Sequence, residues 1–215
     1  MAEAMRLAWS QYAIDLFGIT PVMSYNAVMR PLALLLTLTA VAFSHTTSND
    51  WPSTTIAKKL YAKNDFRSKA APKIVVEKWL NDKEPITKDK VVIVDFWATW
   101  CPPCRATIPD LNKLAAKFKD DVVVIGISDE KPEVVRDFMK KTEMTYNVGI
   151  DTKSTNAKAV GVEGIPHVLV ISADGIVRWQ GFPLDENDPL TEDVVAKIVA
   201  ASKATVQPAG GKSSG

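Results

Sequence analysis

Val91-Val-Ile-Val-Asp-Phe-Trp-Ala-Thr-Trp-Cys-Pro-Pro-Cys-Arg105 is the stretch on which the reading of this chain turns. Residues 91–97 are too few for a helix and rich in β-branched side chains, the mark of a strand buried on both faces. Residues 105–119 follow with Ile108, Leu111, Leu114, Ala115 and Phe118 at helical spacing on one face. A buried strand that turns into a helix through two cysteines places sulfur at a helix start. Free backbone N–H groups and the helix dipole favour negative charge there. A thiolate is the nucleophile of disulfide exchange, so the position activates it. Cys101, ahead of the helix, is expected to be the more exposed. Cys104, one turn in, is expected to be partly covered. The implied cycle has Cys101 attack a disulfide, a mixed disulfide form, and Cys104 resolve it. Pro102 and Pro103 donate no N–H, which leaves the amides of Cys104 and Arg105 as the nearest donors to the Cys101 sulfur.

The rest of the chain alternates. Residues 73–80 have strand composition and run into an Asn81–Pro85 turn. Residues 121–128 read as a second buried strand, and 130–142 as a helix with Pro132 in its first turn. A short strand at 147–150 and a helix at 155–160 come next. Residues 167–172, the turn Ala-Asp-Gly175 and residues 176–180 form a hairpin signal. Residues 190–203 close as a helix. A hairpin, then β-α-β-α, then a hairpin and a helix is an α/β sandwich with a sheet covered on both faces. The domain so defined spans 71–203. Residues 45–70 read as a polar linker carrying a short helix over 56–62, and 204–215 as a disordered tail.

The chain has 215 residues, 47% of them hydrophobic, enough for one full core with appendages. Its 26 basic and 25 acidic residues nearly cancel, which gives no case for a nucleic-acid partner. Two cysteines exclude a multi-disulfide scaffold and, in a monomer, a four-cysteine zinc site. The histidines available to complete a metal site are His45 and His167; no metal is expected. His167 follows Pro166 and could touch the cysteines, or could be a strand histidine satisfied by hydrogen bonds. Trp97 reads as core packing, Trp100 as the rim beside the cysteines and Arg105 as a solvated helix residue.

Residues 1–44 read as an N-terminal extension with a signal peptide or anchor. Arg30 precedes an apolar run over 31–43 that ends in small residues, the parts of a secretory signal. The run is short for a membrane span, which needs about 18 apolar residues. Met29, directly before Arg30, is a candidate initiator. An exported, periplasmic or otherwise extracytoplasmic protein is expected, with cleavage near residues 42–44 or with a membrane tether through the apolar segment.

Residues 94–109, Val-Asp-Phe-Trp-Ala-Thr-Trp-Cys-Pro-Pro-Cys-Arg-Ala-Thr-Ile-Pro, resemble the active-site segment of the thioredoxin superfamily. The Pro-Pro pair and the Phe-Trp-Ala-Thr-Trp before it are similar to the TlpA/ResA-type exported branch. The resemblance implies a thioredoxin-like three-layer α/β/α sandwich with a mixed central sheet. Gly164-Ile165-Pro166 matches the family's cis-proline loop, with Ile165 offering backbone groups to a substrate chain. Trp100, Pro102, Pro103, Ile165 and Pro166 are thus the expected substrate-binding set. Pro109 matches the proline that kinks the active-site helix. Asp95 falls at the family's buried acid, implying a catalytic trio of Cys101, Cys104 and Asp95. From the residues alone, a carboxyl in so apolar a strand should have a raised pKa. One departure is visible: thioredoxins pair this acid with a lysine on the neighbouring strand, and residues 122–128 contain none.

By the same resemblance the chain is a monomeric protein-disulfide reductase of the kind that serves cytochrome c biogenesis or copper-site assembly. Its cofactor is no more than the Cys101–Cys104 redox disulfide, its substrates are protein disulfides, and a membrane thiol transporter supplies its electrons. Two other readings stand beside it. A redoxin-type peroxidase usually has threonine three residues before its cysteine, where this chain has Ala98. A non-catalytic binding module or copper chaperone would use the fold without turnover.

Overall fold

The structure, a computed structural model, describes residue 51 and residues 56–81 and 83–206. The apolar run at 31–43, the Met29 start, most of 45–55 and the tail beyond 206 lie outside those residues.

The stretch at 91–96 does form the central strand. β2 (Val91–Phe96) lies parallel to β3 (Val122–Ser128), with Val91 opposite Val122 and Asp95 opposite Gly126. β4 (Asn147–Ile150) continues the parallel set beyond β3. On the other side of β2, β5 (His167–Ile171) and β6 (Val177–Gly181) add the antiparallel hairpin. β1 (Lys78–Trp79) pairs antiparallel with β4, so the described sheet runs β1-β4-β3-β2-β5-β6. Parallel central strands flanked by antiparallel edges make the sheet mixed.

Helices cover both faces. α1 (Pro102–Lys117), α2 (Pro132–Met139) and α4 (Glu192–Val206) pack with Val91, Ile93 and Trp97 on one face. α3 (Thr155–Val160) packs on the other, over Val94, Phe96, Ile125 and Leu169. The alternation of β2 sends odd and even residues to opposite layers. Each fully buried Val, Ile or Leu contributes about 1.5–3 kcal/mol. The result is the thioredoxin-like three-layer sandwich.

Three local expectations are corrected. The strand expected over 73–80 shrinks to Lys78–Trp79 and joins β4, with no hairpin to β2. Its earlier part is diverted because Val75 bonds through both its N–H and its carbonyl to the Asn156 side chain, at 2.8 and 2.6 Å. The helix expected over 56–62 is absent; Tyr61 takes a left-handed backbone with φ of 55°. The described part of the linker, residues 56–70, lies against the domain. Phe66 N–H donates to Gln180 Oε1, and Arg67 and Ala70 bridge to Val177 and Ile176. Buried Lys58 meets Asp188 at 2.6 Å, with its ammonium 3.8 Å from the Trp179 ring centre. Such contacts are made by backbone groups and a single ion pair, and neither leaves a hydrophobic period in the sequence. Among the described residues, no helix is long and apolar enough to cross a membrane.

Candidate active site

Cys101 caps α1. Its backbone is extended, and its sulfur accepts the Cys104 N–H at 3.2 Å. Pro102 and Pro103 occupy the first two helical positions, where their fixed φ suits the turn and a missing N–H breaks no helical bond. The helix therefore begins at Pro102, three residues before the start at Arg105 expected from the sequence. Arg105 spends its N–H on the Cys101 carbonyl at 3.1 Å, which leaves Cys104 as the sulfur's amide donor. No acidic residue stands in the first turn to oppose a thiolate.

The two sulfurs are joined as a disulfide with the Cα atoms 5.3 Å apart. Cys104 is fully buried and Cys101 is 3% exposed. Cys101 is thus more enclosed than its place ahead of the helix suggests, because the loop before β5 closes over it. The Ile165 carbonyl oxygen in that loop lies 3.7 Å from Cys101 Sγ, and the Ile165–Pro166 bond is cis. A groove of about 760 Å³ opens beside the pair. Trp100, Pro102, Pro103 and Ile165 line it with Cys101, and Trp100 is 68% exposed. Pro166 is buried and faces a smaller cleft of about 230 Å³ with Tyr61, Ile165 and Phe182.

Asp95 lies beneath this surface, on the face of β2 that carries α1, and is fully buried. Among the described residues, neither carboxyl oxygen has a hydrogen-bond partner. Burial pushes its carboxyl up to about 7, with no cation among the described residues opposing the desolvation. Tyr146 is raised well above the usual phenol range, first by burial and then by the Asp95 charge.

His167 is on the opposite face, beside Phe96, and does not join the cysteines. Gln180 Oε1 accepts the Phe66 N–H, which fixes its amide nitrogen as the atom 3.2 Å from His167 Nε2. Nε2 must then accept, and the ring proton sits on Nδ1. Burial lowers the histidine to about 4, against an opposing pull from the Leu60 backbone. It is a neutral strand histidine held at Nε2 by Gln180, while its Nδ1 is buried without a hydrogen-bond partner among the described residues, so the expectation of a histidine satisfied by hydrogen bonds is met at one ring nitrogen only.

Two residues that shape the site carry no motif. Glu130 accepts the Thr99 N–H at 2.6 Å and the Thr99 hydroxyl at 2.8 Å, pinning the loop before Cys101. The Tyr61 carbonyl accepts the N–H groups of Glu163 and Gly164, at 2.8 and 3.2 Å, bracing the loop that ends at Pro166. A glutamate two residues past a buried strand is a weak signal, and a backbone brace leaves none. Among the described residues, no cluster of His, Cys, Asp or Glu is arranged to hold a metal.

Residues 69–180, just over half of the chain, match the AhpC/TSA family. The chain is 36% identical over 114 residues to the thiol-disulfide oxidoreductase ResA of Bacillus thuringiensis subsp. konkukian, a match covering 51% of this chain and 65% of that protein. It is 32% identical over 115 residues to the thiol:disulfide interchange protein CycY of Rhizobium leguminosarum bv. viciae, covering 53% and 61%. Each match spans less than two thirds of the relative's length. The crystal structure of a thioredoxin-like superfamily protein superposes with a TM-score of 0.56 at 22% identity, covering 65% of this chain and 99% of that one.

Proposed function

The chain belongs to the AhpC/TSA family, and from that premise we propose that it is a thiol–disulfide oxidoreductase that reduces protein disulfides outside the cytoplasm. One arrangement carries the reading: the Cys101 sulfur caps α1 and lines an open groove, while Cys104 lies fully buried behind it.

In the reduced protein the Cys101 thiolate attacks one sulfur of a substrate disulfide. A Cys101–substrate bond forms, and the substrate's other sulfur leaves as a thiolate that takes a proton from solvent. Cys104 then gives up its proton, attacks Cys101 Sγ and expels the second substrate thiolate. Two electrons have passed to the substrate, and the Cys101–Cys104 disulfide remains. Asp95, buried with its pKa near neutrality, is the base that takes the Cys104 proton. Trp100, Pro102 and Pro103 receive the substrate on one side of the sulfur. Ile165 and Pro166 receive it on the other, where the backbone of an extended chain can pair with Ile165.

The cycle calls on no cofactor beyond the dithiol, so electrons return from another thiol protein, by resemblance a membrane thiol transporter. The apolar run at 31–43 supports export and a membrane tether if it is retained. A peroxidase reading finds little support, since Ala98 offers no hydroxyl to a peroxide three residues before Cys101.

The test is the equilibrium reduction potential of the pair, followed by tryptophan fluorescence in thiol/disulfide buffers. A value near about −270 mV, that of thioredoxin, is expected of a reductase. A value near about −120 mV, that of DsbA, would make the protein a disulfide-forming oxidant. The absence of a reversible two-electron transition would overturn the redox reading.

A further inference from the structure

Asp95 is paired across the parallel ladder with Gly126, a residue with no side chain to offer it. The room beside Gly126 is nonetheless taken. A Cβ there would fall 2.9 Å from Trp97 Nε1 and 3.1 Å from Tyr146 Cε2. An indole N–H and the edge of a phenol ring therefore converge next to the Asp95 carboxyl, on its own side of the sheet. Both Asp95 oxygens, the Tyr146 hydroxyl and Trp97 Nε1 are buried, and among the described residues none has a hydrogen-bond partner. Leaving a buried polar group unpaired costs about 1–3 kcal/mol, and folded proteins almost always pair such groups with protein or with ordered water. A buried water with two to four such partners is an ordinary solution.

We propose that Tyr146 is the positioning residue of Asp95: its hydroxyl, with the Trp97 N–H, holds the carboxylate through a shared buried water and thereby sets its hold on the proton exchanged with Cys104. The proposal rests on the proton-accepting role given to Asp95 above. Among the described residues, Tyr146 is the titratable group that feels the Asp95 charge, and Cys104, in the core cluster on the same side of the sheet, is held as a disulfide and titrates only once reduced. β3, β5, α2 and α4, and α1 apart from Cys104, turn apolar or hydroxyl side chains to this pocket. A lysine in the place of Gly126 would bring a charge and a second titration. A phenol whose own pKa lies far above neutrality brings only a neutral donor. The carboxyl then titrates as a single group, with its affinity for the proton kept high by burial and trimmed by one donated hydrogen bond.

Carbon-13 NMR of the Asp95 carboxyl in the oxidised full chain, over about pH 4 to 9, reads the proton directly. Tyr146→Phe keeps the ring against Gly126 and removes only the hydroxyl, so the fold is retained. The expected result is proton binding about three- to tenfold tighter in Tyr146→Phe than in the parent. The pH profile of disulfide reduction should move upward by the same amount, and Tyr146→Phe should not move it in an Asp95→Asn background. An Asp95 midpoint that stays in place, or moves downward, overturns the proposal. Should the protein reduce no disulfide at all, the functional reading fails, while the NMR titration still decides the role of Tyr146.

Discussion

The sulfur of Cys101 lies between two backbone groups of opposite sign, the Cys104 N–H at 3.2 Å and the Ile165 carbonyl at 3.7 Å. The first favours a thiolate and the second a thiol that can donate to it. An N-cap acceptor ordinarily draws on the amides of the second and third helical positions. Here the second is Pro103, so one donor is missing.

Restoring that donor should weaken the dithiol as a reductant. Pro103→Ala gives the thiolate a second N–H, and a hydrogen bond to a charged group contributes about 1.5–3 kcal/mol. The reduced form gains that stability, so the potential should rise by about 30–60 mV, measured against a glutathione buffer series. A potential that falls, or does not move, would show that the amide at this position does not reach the sulfur.

Asp95 makes a separate prediction about stability. In the native oxidised protein its pKa is about 7, against about 3.9 in an unfolded chain. Below the lower value the group is protonated in both states and carries no penalty. Through the window from about pH 4 to 7 the unfolded chain releases the proton while the native one holds it, so stability falls as pH rises. Urea unfolding at about pH 5 and about pH 8 should differ by about 3 kcal/mol from this group. Asp95→Asn should abolish that part of the slope and be the more stable protein at the higher pH. Parallel slopes for the two proteins would contradict the burial argument.

Lys58 and Asp188 are buried together, with side-chain exposures of 1% and 9%. Burial pulls the Lys58 pKa down, against the hydrogen bond and charge of Asp188, which pull it up. Lys58→Met should therefore strand the carboxylate and cost about 3–5 kcal/mol. The double variant Lys58→Met/Asp188→Leu should recover most of it. A double variant as unstable as the single one would mean that the pair is not the cause.

Glu130 should control the loop that carries Trp100. Glu130→Ala removes the acceptor of both Thr99 bonds. The Thr99 amide should then exchange with solvent about tenfold faster or more, at a stability cost of about 1–3 kcal/mol. Unchanged exchange at Thr99 would place the rigidity of the loop elsewhere.

The candidate site was legible where chemistry and periodicity coincide. β2 declares itself by β-branched residues, and Cys101, Cys104 and Asp95 are placed by that strand and the helix after it. Asn147–Ile150 and Thr155–Val160 fall where the pattern puts them. What stayed hidden is held by single contacts. The Asn156 side chain diverts residues 73–77, Lys58 enters the core through one carboxylate, and Tyr61 acts through its carbonyl. The pairing of Asp95 with Gly126 is likewise a matter of register, which no local pattern reveals.

The bridges from Arg67 and Ala70 to β6 bear on more than the packing of one segment. β6 ends the described sheet, and a bare outer strand presents a row of unpaired amides and carbonyls to any other chain with a free edge. Residues 66–71 occupy part of that row, with the N–H groups of Ser68 and Ala71 donating to Val177 and Gly175 and the Val177 N–H donating to Lys69. The segment is thus a selvedge on the sheet. A version trimmed back to residue 71 would trade a sealed border for a sticky one and would be expected to self-associate as its concentration rises.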